Sequence, residues 1–348
     1  MQTTNAKGWN PRVEGLRGVA ILLVFIFHLS NPGRHNWGAL GVSIFFIISG
    51  YVITGSMSRQ ISQDASNEIA MATFLQRFYI RRARRLLPLA ITVIFITLAI
   101  SLGDPTADKR QYWLSTIFCL LYVGNLFGFT FGYTDLAPGL GHFWSLAVEE
   151  QFYFVWPIVF WVAHRSFRRI AQFKYWIIFG IVLVELSHPL IAFAGVTVWT
   201  LPSTYFDLLL LGCALNLIKD KIENIRGGRL QLIRFVGCFS LFFIIFGSSF
   251  SASSLLSNFQ YNFNFLLAGS IFIYALRSNL FDNFVLKFFG KISYSLYCIH
   301  APLIVFCRNF LGDSAQLMFL AAAVSIVLSI VSHRYFESKF YKTVSQAS

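Results

Sequence analysis

The sequence predicts an all-α membrane protein: a polytopic bundle of about ten transmembrane helices plus one re-entrant or non-spanning segment near residues 112–132. Of its 348 residues, 56% are hydrophobic and only 12% are charged, whereas soluble domains carry roughly 25% charged residues. Eleven apolar runs approach the length of about 20 residues that a helix needs to cross a bilayer. The distribution of Lys and Arg among the loops then indicates which runs cross.

The eleven runs lie at residues 17–31, 38–57, 86–102, 112–132, 142–163, 175–195, 203–218, 231–250, 261–277, 292–309 and 315–335. If all of them crossed from a cytoplasmic N-terminus, the basic loop from Arg165 to Lys174 would lie outside, against the positive-inside rule. If 112–132 does not cross, the only basic residues outside are Arg34, Lys109, Arg110 and Arg308. The glycines within that segment suit a bent element buried in protein. We therefore expect ten crossings with both termini in the cytoplasm.

Composition and cysteine spacing exclude several classes of function. The net charge is +13, but in a spanning protein a basic excess indicates cytoplasmic loops rather than a nucleic-acid partner. The five cysteines are scattered through apolar stretches without a Cys-x-x-Cys pair, so neither a disulfide framework nor a metal site is indicated. We expect one integral-membrane domain over residues 1–348, a first helix that is retained, and no soluble extracytoplasmic domain.

The first apolar run begins with charged residues and ends on a histidine. Arg17 and His28 are eleven residues apart, close to three helical turns, so both lie on one face about 16 Å apart. Glu14 lies one turn before Arg17 on that face. Such a stripe is costly to expose to lipid, which indicates a functional site that faces a polar interior. Alternatively, Glu14 and Arg17 form an interfacial ion pair and His28 caps the outer end of the helix.

A second polar stretch, His142 to Tyr153, enters the membrane from the outside. Glu149 and Glu150 fall about 10–12 Å into the predicted helix, and adjacent carboxylates at that depth indicate a function or a charged partner. The alternative is a purely structural salt bridge to an arginine.

Two further stretches carry polar side chains within or beside apolar runs. One is a set of four arginines at the cytoplasmic end of the third span, here called the basic cluster: Arg81, Arg82, Arg84 and Arg85. It suits either the phosphates of a ligand and anionic lipid or a topology anchor. The other stretch places Ser293, Tyr297 and His300 on one helix face, which suits helix-to-helix hydrogen bonds as well as catalysis.

Taken together, these stretches resemble the acyltransferase-3 family of integral-membrane acyltransferases, which includes bacterial O-antigen acetylases. The resemblance covers nearly the whole chain and rests on five motifs in the family's order: Glu14-Gly-Leu-Arg-Gly with the Arg17 to His28 spacing, Phe45 to Tyr51, Arg81 to Pro88, Phe143 to Tyr153, and Ser293 to His300. Glu14 stands where aspartate is commoner in the family. The resemblance implies an acyl-CoA donor on the cytoplasmic side, a hydroxyl acceptor on the far side, His28 in the catalytic position and donor-site residues in the basic cluster.

We therefore predict a stand-alone O-acetyltransferase of the bacterial inner membrane, which moves an acetyl group from acetyl-CoA to a cell-surface carbohydrate such as lipopolysaccharide O-antigen. A histidine can take the proton of the acceptor hydroxyl near neutral pH. We assign catalysis to His28, Glu149 and Glu150, and donor binding to Arg17 and the basic cluster. The expected supporting residues are Glu14, Ser145, Tyr153, Ser293, Tyr297 and His300. We expect a carbohydrate acceptor that can be lipid-linked, membrane lipids as further partners, and no metal or nucleic acid.

The competing interpretation is a transporter or flippase of a glycan or related solute, since many spans, buried charges and a bent segment are also typical of solute carriers. The sequence lacks the inverted repeat that would favour that class.

Overall fold

A computed structural model describes residues 10–30, 37–63, 70–129, 135–167, 170–193, 203–250, 254–337 and 339, which form helices and turns with no strand. This confirms the all-α class. The helices are α1 (Pro11–Leu29), α2 (Trp37–Ser62), α3 (Met71–Gly103), α4 (Lys109–Leu120), α5 (Phe143–Ser166), α6 (Lys174–Phe193), α7 (Ser203–Leu217), α8 (Lys219–Glu223), α9 (Gly228–Phe250), α10 (Ser254–Arg277), α11 (Phe284–Lys291), α12 (Ser293–Phe310) and α13 (Ala315–Val331). Arg34 and the ends of the predicted spans at 31, 132 and 194–195 lie outside the described residues.

Five helices in the described ranges are long and apolar enough to cross a membrane. They are α2, α3, α5, the Gly228–Ile245 part of α9, and Ala315–Glu337, which joins α13 to the π-helix after it. The pair α11 and α12, bent by 68°, makes a sixth if it is taken as one span. A multi-pass membrane protein is therefore indicated, and the count of ten crossings stays a prediction.

The segment predicted not to cross contains α4, which has 12 residues, and a short 3₁₀ helix, Gly124–Phe129. A helix of that length rises about 18 Å, well short of the roughly 30 Å hydrocarbon core. Between the two helices, Tyr122 has a left-handed backbone with φ of 55°. The Gln151 side-chain amide of α5 donates to the Tyr122 carbonyl at 2.8 Å and to Asn125 Oδ1 at 2.9 Å. These bonds hold the bent segment against α5, and its failure to cross the membrane stays a prediction.

The helices group into two compact units. The first comprises Met1–Gly55, Arg169–Val198 and Ser203–Ser293, and the second comprises Ser56–Arg168, Trp199–Pro202 and Tyr294–Ser348. In the first unit, α1 packs against α11. In the second, side chains of α3, α5 and α12 share one apolar core, which includes Leu89, Val93, Phe143, Tyr294 and Cys298. The sites below are built on these two packings.

Candidate active site

The start of α1 is fixed by hydrogen bonds before the polar stripe begins. The Asn10 side chain caps the helix by accepting from the Arg12 amide at 3.0 Å, and Pro11 follows at the first helical position, where its missing N–H costs nothing. The Arg12 guanidinium then donates to the Leu276 carbonyl at 2.7 Å and to Asn279 Oδ1 at 2.6 Å. α1 is thereby tied to the end of α10.

Two glycines of α1 allow close backbone contact, Gly18 with α11 and Gly15 with the 3₁₀ turn before it, Asn279–Phe281. A Cβ atom at Gly18 would lie 2.0 Å from the Leu286 carbonyl oxygen, and one at Gly15 would lie 1.7 Å from the Phe281 carbonyl oxygen. Both separations are far below van der Waals contact, so only glycine fits at these positions. The close approach brings Arg17 Nη2 within 3.0 Å of Ser293 Oγ, to which it donates. Two predicted site residues from opposite ends of the chain are therefore brought together, while the Glu14–Arg17 pair stays a prediction.

His28 lies near the outer end of α1 and is held by its own helix. Its Nδ1 atom lies 2.8 Å from the Val24 carbonyl oxygen. Because a carbonyl oxygen can only accept, Nδ1 carries the proton in this bond, and the neutral ring then has its lone pair on Nε2. The half-buried imidazole thus has a fixed tautomer with Nε2 as the basic nitrogen. The predicted pairing of His28 with Glu149 or Glu150 would join the two units and stays a prediction.

In the second unit, the basic cluster meets the glutamate stretch through Arg82. Arg82 Nη2 lies 3.7 Å from Glu150 Oε1, and its guanidinium carbon lies 3.4 Å from the centre of the Tyr153 ring. The two charged side chains retain only 18% and 25% of their exposure. A cation held over an aromatic face beside a carboxylate is favourable in such partly buried surroundings. This geometry supports the structural salt bridge that the sequence left as the alternative for Glu150.

The other three arginines of the basic cluster differ in accessibility. The Arg81 guanidinium donates to the side-chain oxygen of Gln60. The amide nitrogen of the same Gln60 side chain donates to the Phe74 carbonyl. Arg85 is half-buried, whereas Arg84 is exposed. Arg84 is therefore the member of the cluster that is best placed to meet the phosphates of a soluble ligand.

The polar face of α12 joins the start of α5 in the second unit. Ser145 Oγ and the Tyr297 hydroxyl lie 2.5 Å apart, and Tyr297 donates to the His142 carbonyl at 3.0 Å. His300 Nδ1 donates to the carbonyls of Leu296 and Tyr297 at 2.9 and 2.8 Å. These side chains are buried. The two bonds of Tyr297 link α12 to the start of α5, whereas both bonds of His300 stay within α12. Tyr297 thus forms bonds of the helix-linking kind, and a supporting role of this stripe in catalysis stays a prediction.

Comparison with known proteins gives this arrangement a family. Residues 10–334 match the Acyl_transf_3 family, which is described as an acyltransferase domain. The chain belongs to the acyltransferase-3 family. The match spans both units and confirms the resemblance carried by the five motifs.

The relatives of this acyltransferase-3 chain are bacterial proteins of greater length. It is 27% identical over 356 residues to a protein provisionally named an O-acetyltransferase in Staphylococcus aureus strain COL, covering 95% of this chain and 57% of that relative. It is 29% identical over 361 residues to the O-acetyltransferase OatA of Staphylococcus aureus strain NCTC 8325, with the same coverage of each chain. This chain thus spans a little over half the length of the curated relatives it matches. No solved structure matches it.

Sequence reasoning missed several polar residues of this family member. Gln151 follows the two glutamates directly and clasps the bent segment, a role that its place beside predicted site residues could have suggested. A half-buried polar group in the first unit was also missed: Glu185, which accepts from Asn262, lies 3.8 Å from the buried His188. The sequence did contain an indication of this group, because a lone glutamate within an apolar run is costly in a membrane unless it has partners.

Proposed function

We propose that this protein is an O-acetyltransferase of the bacterial inner membrane. In this proposal, it moves the acetyl group of cytoplasmic acetyl-CoA to a hydroxyl of an extracytoplasmic carbohydrate, of which lipopolysaccharide O-antigen is one example. Both termini lie in the cytoplasm. The observation that carries the proposal is the orientation of His28, whose Nδ1 bond to the Val24 carbonyl gives Nε2 the basic lone pair.

The chemistry that His28 would supply is proton transfer. The acceptor hydroxyl forms a new C–O bond to the acetyl carbonyl carbon while the C–S bond of the thioester breaks. Nε2 takes the hydroxyl proton as the oxygen attacks, and that proton then goes to the sulfur that leaves as the CoA thiol. General base catalysis of this kind contributes about 10²–10⁴-fold. A fixed tautomer favours this catalysis, because Nε2 is already the basic nitrogen at the start of each turnover.

The basic cluster would bind the donor. The phosphates of CoA are anions with several acceptor oxygens. Arginine binds such groups through charge-assisted, often bidentate hydrogen bonds. The exposed Arg84 suits this contact, whereas Arg82 is already engaged by Glu150 and Tyr153. In the first unit, Arg17 with its Ser293 partner is the further donor-binding candidate.

The acceptor proposal rests on the family and on the names of the relatives. Both quoted relatives are named as O-acetyltransferases, which favours an oxygen acceptor for this chain. A carbohydrate offers many hydroxyls of similar chemistry, so the position that is modified depends on how the sugar is held.

The experiment uses the purified full chain in liposomes, with acetyl-CoA labelled in the acetyl group on one side and an O-antigen polysaccharide on the other. We expect label to appear on the polysaccharide as a base-labile ester, together with free CoA thiol. His28→Ala should lower the rate at which both products form by about 10²–10⁴-fold. His164→Ala, a histidine near the end of α5 that has no assigned role, serves as the matched control and should leave both intact.

Two outcomes would contradict the proposal. Movement of the polysaccharide across the bilayer without label transfer would favour a transporter instead. Label transfer that survives in His28→Ala at the wild-type rate would remove His28 from the chemistry.

A further inference from the structure

A cleft of about 740 Å³ lies at the start of α9, in the first unit. Its walls are the turn that follows α8 and the first residues of α9. Three cationic side chains line it, Lys221, Arg226 and Arg229, together with one carboxylate, Asp220. All four side chains are exposed. We call this feature the α9 cleft.

The cations of the α9 cleft are not neutralised by acidic side chains in the described part of the chain. Within the described ranges, none of Lys221, Arg226 and Arg229 forms an ion pair. With three positive charges against one negative, the cleft has a positive excess that favours an anionic ligand. Arg82 of the basic cluster differs in this respect, because a carboxylate already neutralises it.

The cleft is held open by hydrogen bonds rather than by its ligand. Arg277, at the end of α10, donates to the Ile222 carbonyl at 3.1 Å and also to the Glu223 carbonyl. Asn224 Nδ2 donates to the Asp220 carbonyl at 2.9 Å. These bonds fix the backbone around the end of α8, so the cations lining the cleft do not have to be gathered by an incoming anion. Such preorganisation lowers the cost of binding.

Directly beyond the cleft, α9 presents an apolar ridge to its surroundings. Leu232, Phe235, Phe239 and Phe242 keep between 51% and 67% of their exposure. Their spacing of three and four residues places them on one face of the helix. The ridge begins one turn after Arg229 and runs along the part of α9 that is apolar enough to cross a membrane.

We propose that the α9 cleft binds the phosphate headgroup of an anionic phospholipid whose acyl chains lie along the ridge. The cations bind the phosphate, and the leucine and phenylalanine side chains cover the hydrocarbon. The loop that forms the cleft is among those that the charge bias places in the cytoplasm, where the membrane surface is rich in anionic lipid. A free phosphate would use the same cations, but it would leave the ridge without a role.

The test measures lipid binding to the purified full chain in detergent by calorimetry. The probes are dioctanoyl phosphatidylglycerol, dioctanoyl phosphatidylcholine with the same chains, and inorganic phosphate. We expect phosphatidylglycerol to bind at least about 10-fold more tightly than phosphatidylcholine. The variant with Lys221→Gln, Arg226→Gln and Arg229→Gln should lose about 10²-fold in phosphatidylglycerol affinity.

The matched control removes the same number of charges from exposed arginines elsewhere: Arg59→Gln, Arg77→Gln and Arg165→Gln. It should bind phosphatidylglycerol like the wild type. A second variant, Arg226→Lys with Arg229→Lys, keeps the charge and should retain most of the affinity, which separates a charge effect from misfolding. Wild-type affinity in the glutamine variant would overturn the site. Inorganic phosphate that displaces the lipid at equal concentration would overturn the lipid assignment.

Discussion

The sequence predicts donor binding for both Arg17 and Arg82, but the structure holds the two side chains in different ways. Arg17 of the first unit reaches the Ser293 hydroxyl because glycines on α1 let α11 come within backbone contact. Arg82 of the second unit lies between the Glu150 carboxylate and the Tyr153 ring. The position of Arg17 is set by the fit of two helix backbones, whereas that of Arg82 is set by a charge pair and a cation–π contact.

The difference predicts how each region responds to substitution. Around Arg17, a change of size at a glycine should be felt more than a change of charge. Around Arg82, removal of one charge leaves its partner in partly buried surroundings, so the charge balance should dominate. His28 belongs with the first kind, because a backbone carbonyl orients it and no side-chain substitution removes that carbonyl.

The largest expected effect is on the rate of the chemical step. His28→Ala should lower kcat by about 10²–10⁴-fold, since the base that receives the hydroxyl proton is lost. Its melting temperature should stay close to that of the wild type, because the bond that it removes is made within one helix. Turnover kinetics and a thermal melt of the same preparation check both statements. A variant with normal turnover would make His28 a helix-end residue, as the alternative interpretation has it.

The next effect concerns the affinity for acetyl-CoA. Arg84→Ala should weaken donor binding by about 1.5–3 kcal/mol, the usual contribution of a hydrogen bond to a charged group. Arg84→Lys should restore part of it, because lysine keeps the charge but loses the bidentate geometry. Arg82→Ala should weaken donor binding less than Arg84→Ala, but it should lower the melting temperature, because Glu150 loses its cation. Titration of acetyl-CoA against each variant measures the effect, and unchanged affinity in Arg84→Ala would leave the basic cluster as a topology signal.

Backbone fit between α1 and α11 can be tested by adding a single methyl group. Gly18→Ala should destabilise the first unit by about 1–3 kcal/mol, since the new Cβ would overlap the Leu286 carbonyl and force the helices apart. Gly103→Ala is the control, because a Cβ there meets nothing within 4 Å. Thermal melts in detergent compare the two. Equal melting temperatures would mean that α1 and α11 are not held as closely as described.

The smallest effect is expected at the charge pair itself. Glu150→Gln should cost about 1–2 kcal/mol, because Arg82 loses a carboxylate 3.7 Å away but keeps Tyr153 and some contact with water. Glu149→Gln, at the adjacent position, is the matched comparison and should cost less. A larger loss of stability in Glu149→Gln would show that the other glutamate balances the cluster.

The sequence predicts most of what a single helix determines. The common face of Arg17 and His28 follows from their spacing, and the helix between them is present. The short, bent segment after α3 follows from its glycines and from the loop charges. The partner that a side chain contacts is harder to predict from the sequence, because it depends on packing between segments far apart in the chain. Arg82 could have served the donor, the lipid or Glu150, and only the fold shows the carboxylate and the ring around it.

Predicting the number of spans from the sequence meets the same difficulty, because packing between distant segments also decides how a helix bends. A run of apolar residues indicates length, but it does not show a bend. The run at 292–309 predicts one simple span, whereas the structure places α11 before it at an angle of 68° to α12. α11 itself packs against α1, whose sequence lies at the other end of the chain.

The contact between Arg17 and Ser293 also has a consequence for synthesis. The two residues are 276 positions apart, and a ribosome adds about 5–20 residues per second, so α1 waits roughly 14–55 s for the residue that its arginine binds. Throughout that interval Glu14, Arg17 and His28 are already made, while α11 and α12 do not yet exist. A charged stripe on a membrane helix is costly in lipid, so during biogenesis the insertion machinery or the headgroup region must shelter α1 until the last fifth of the chain emerges.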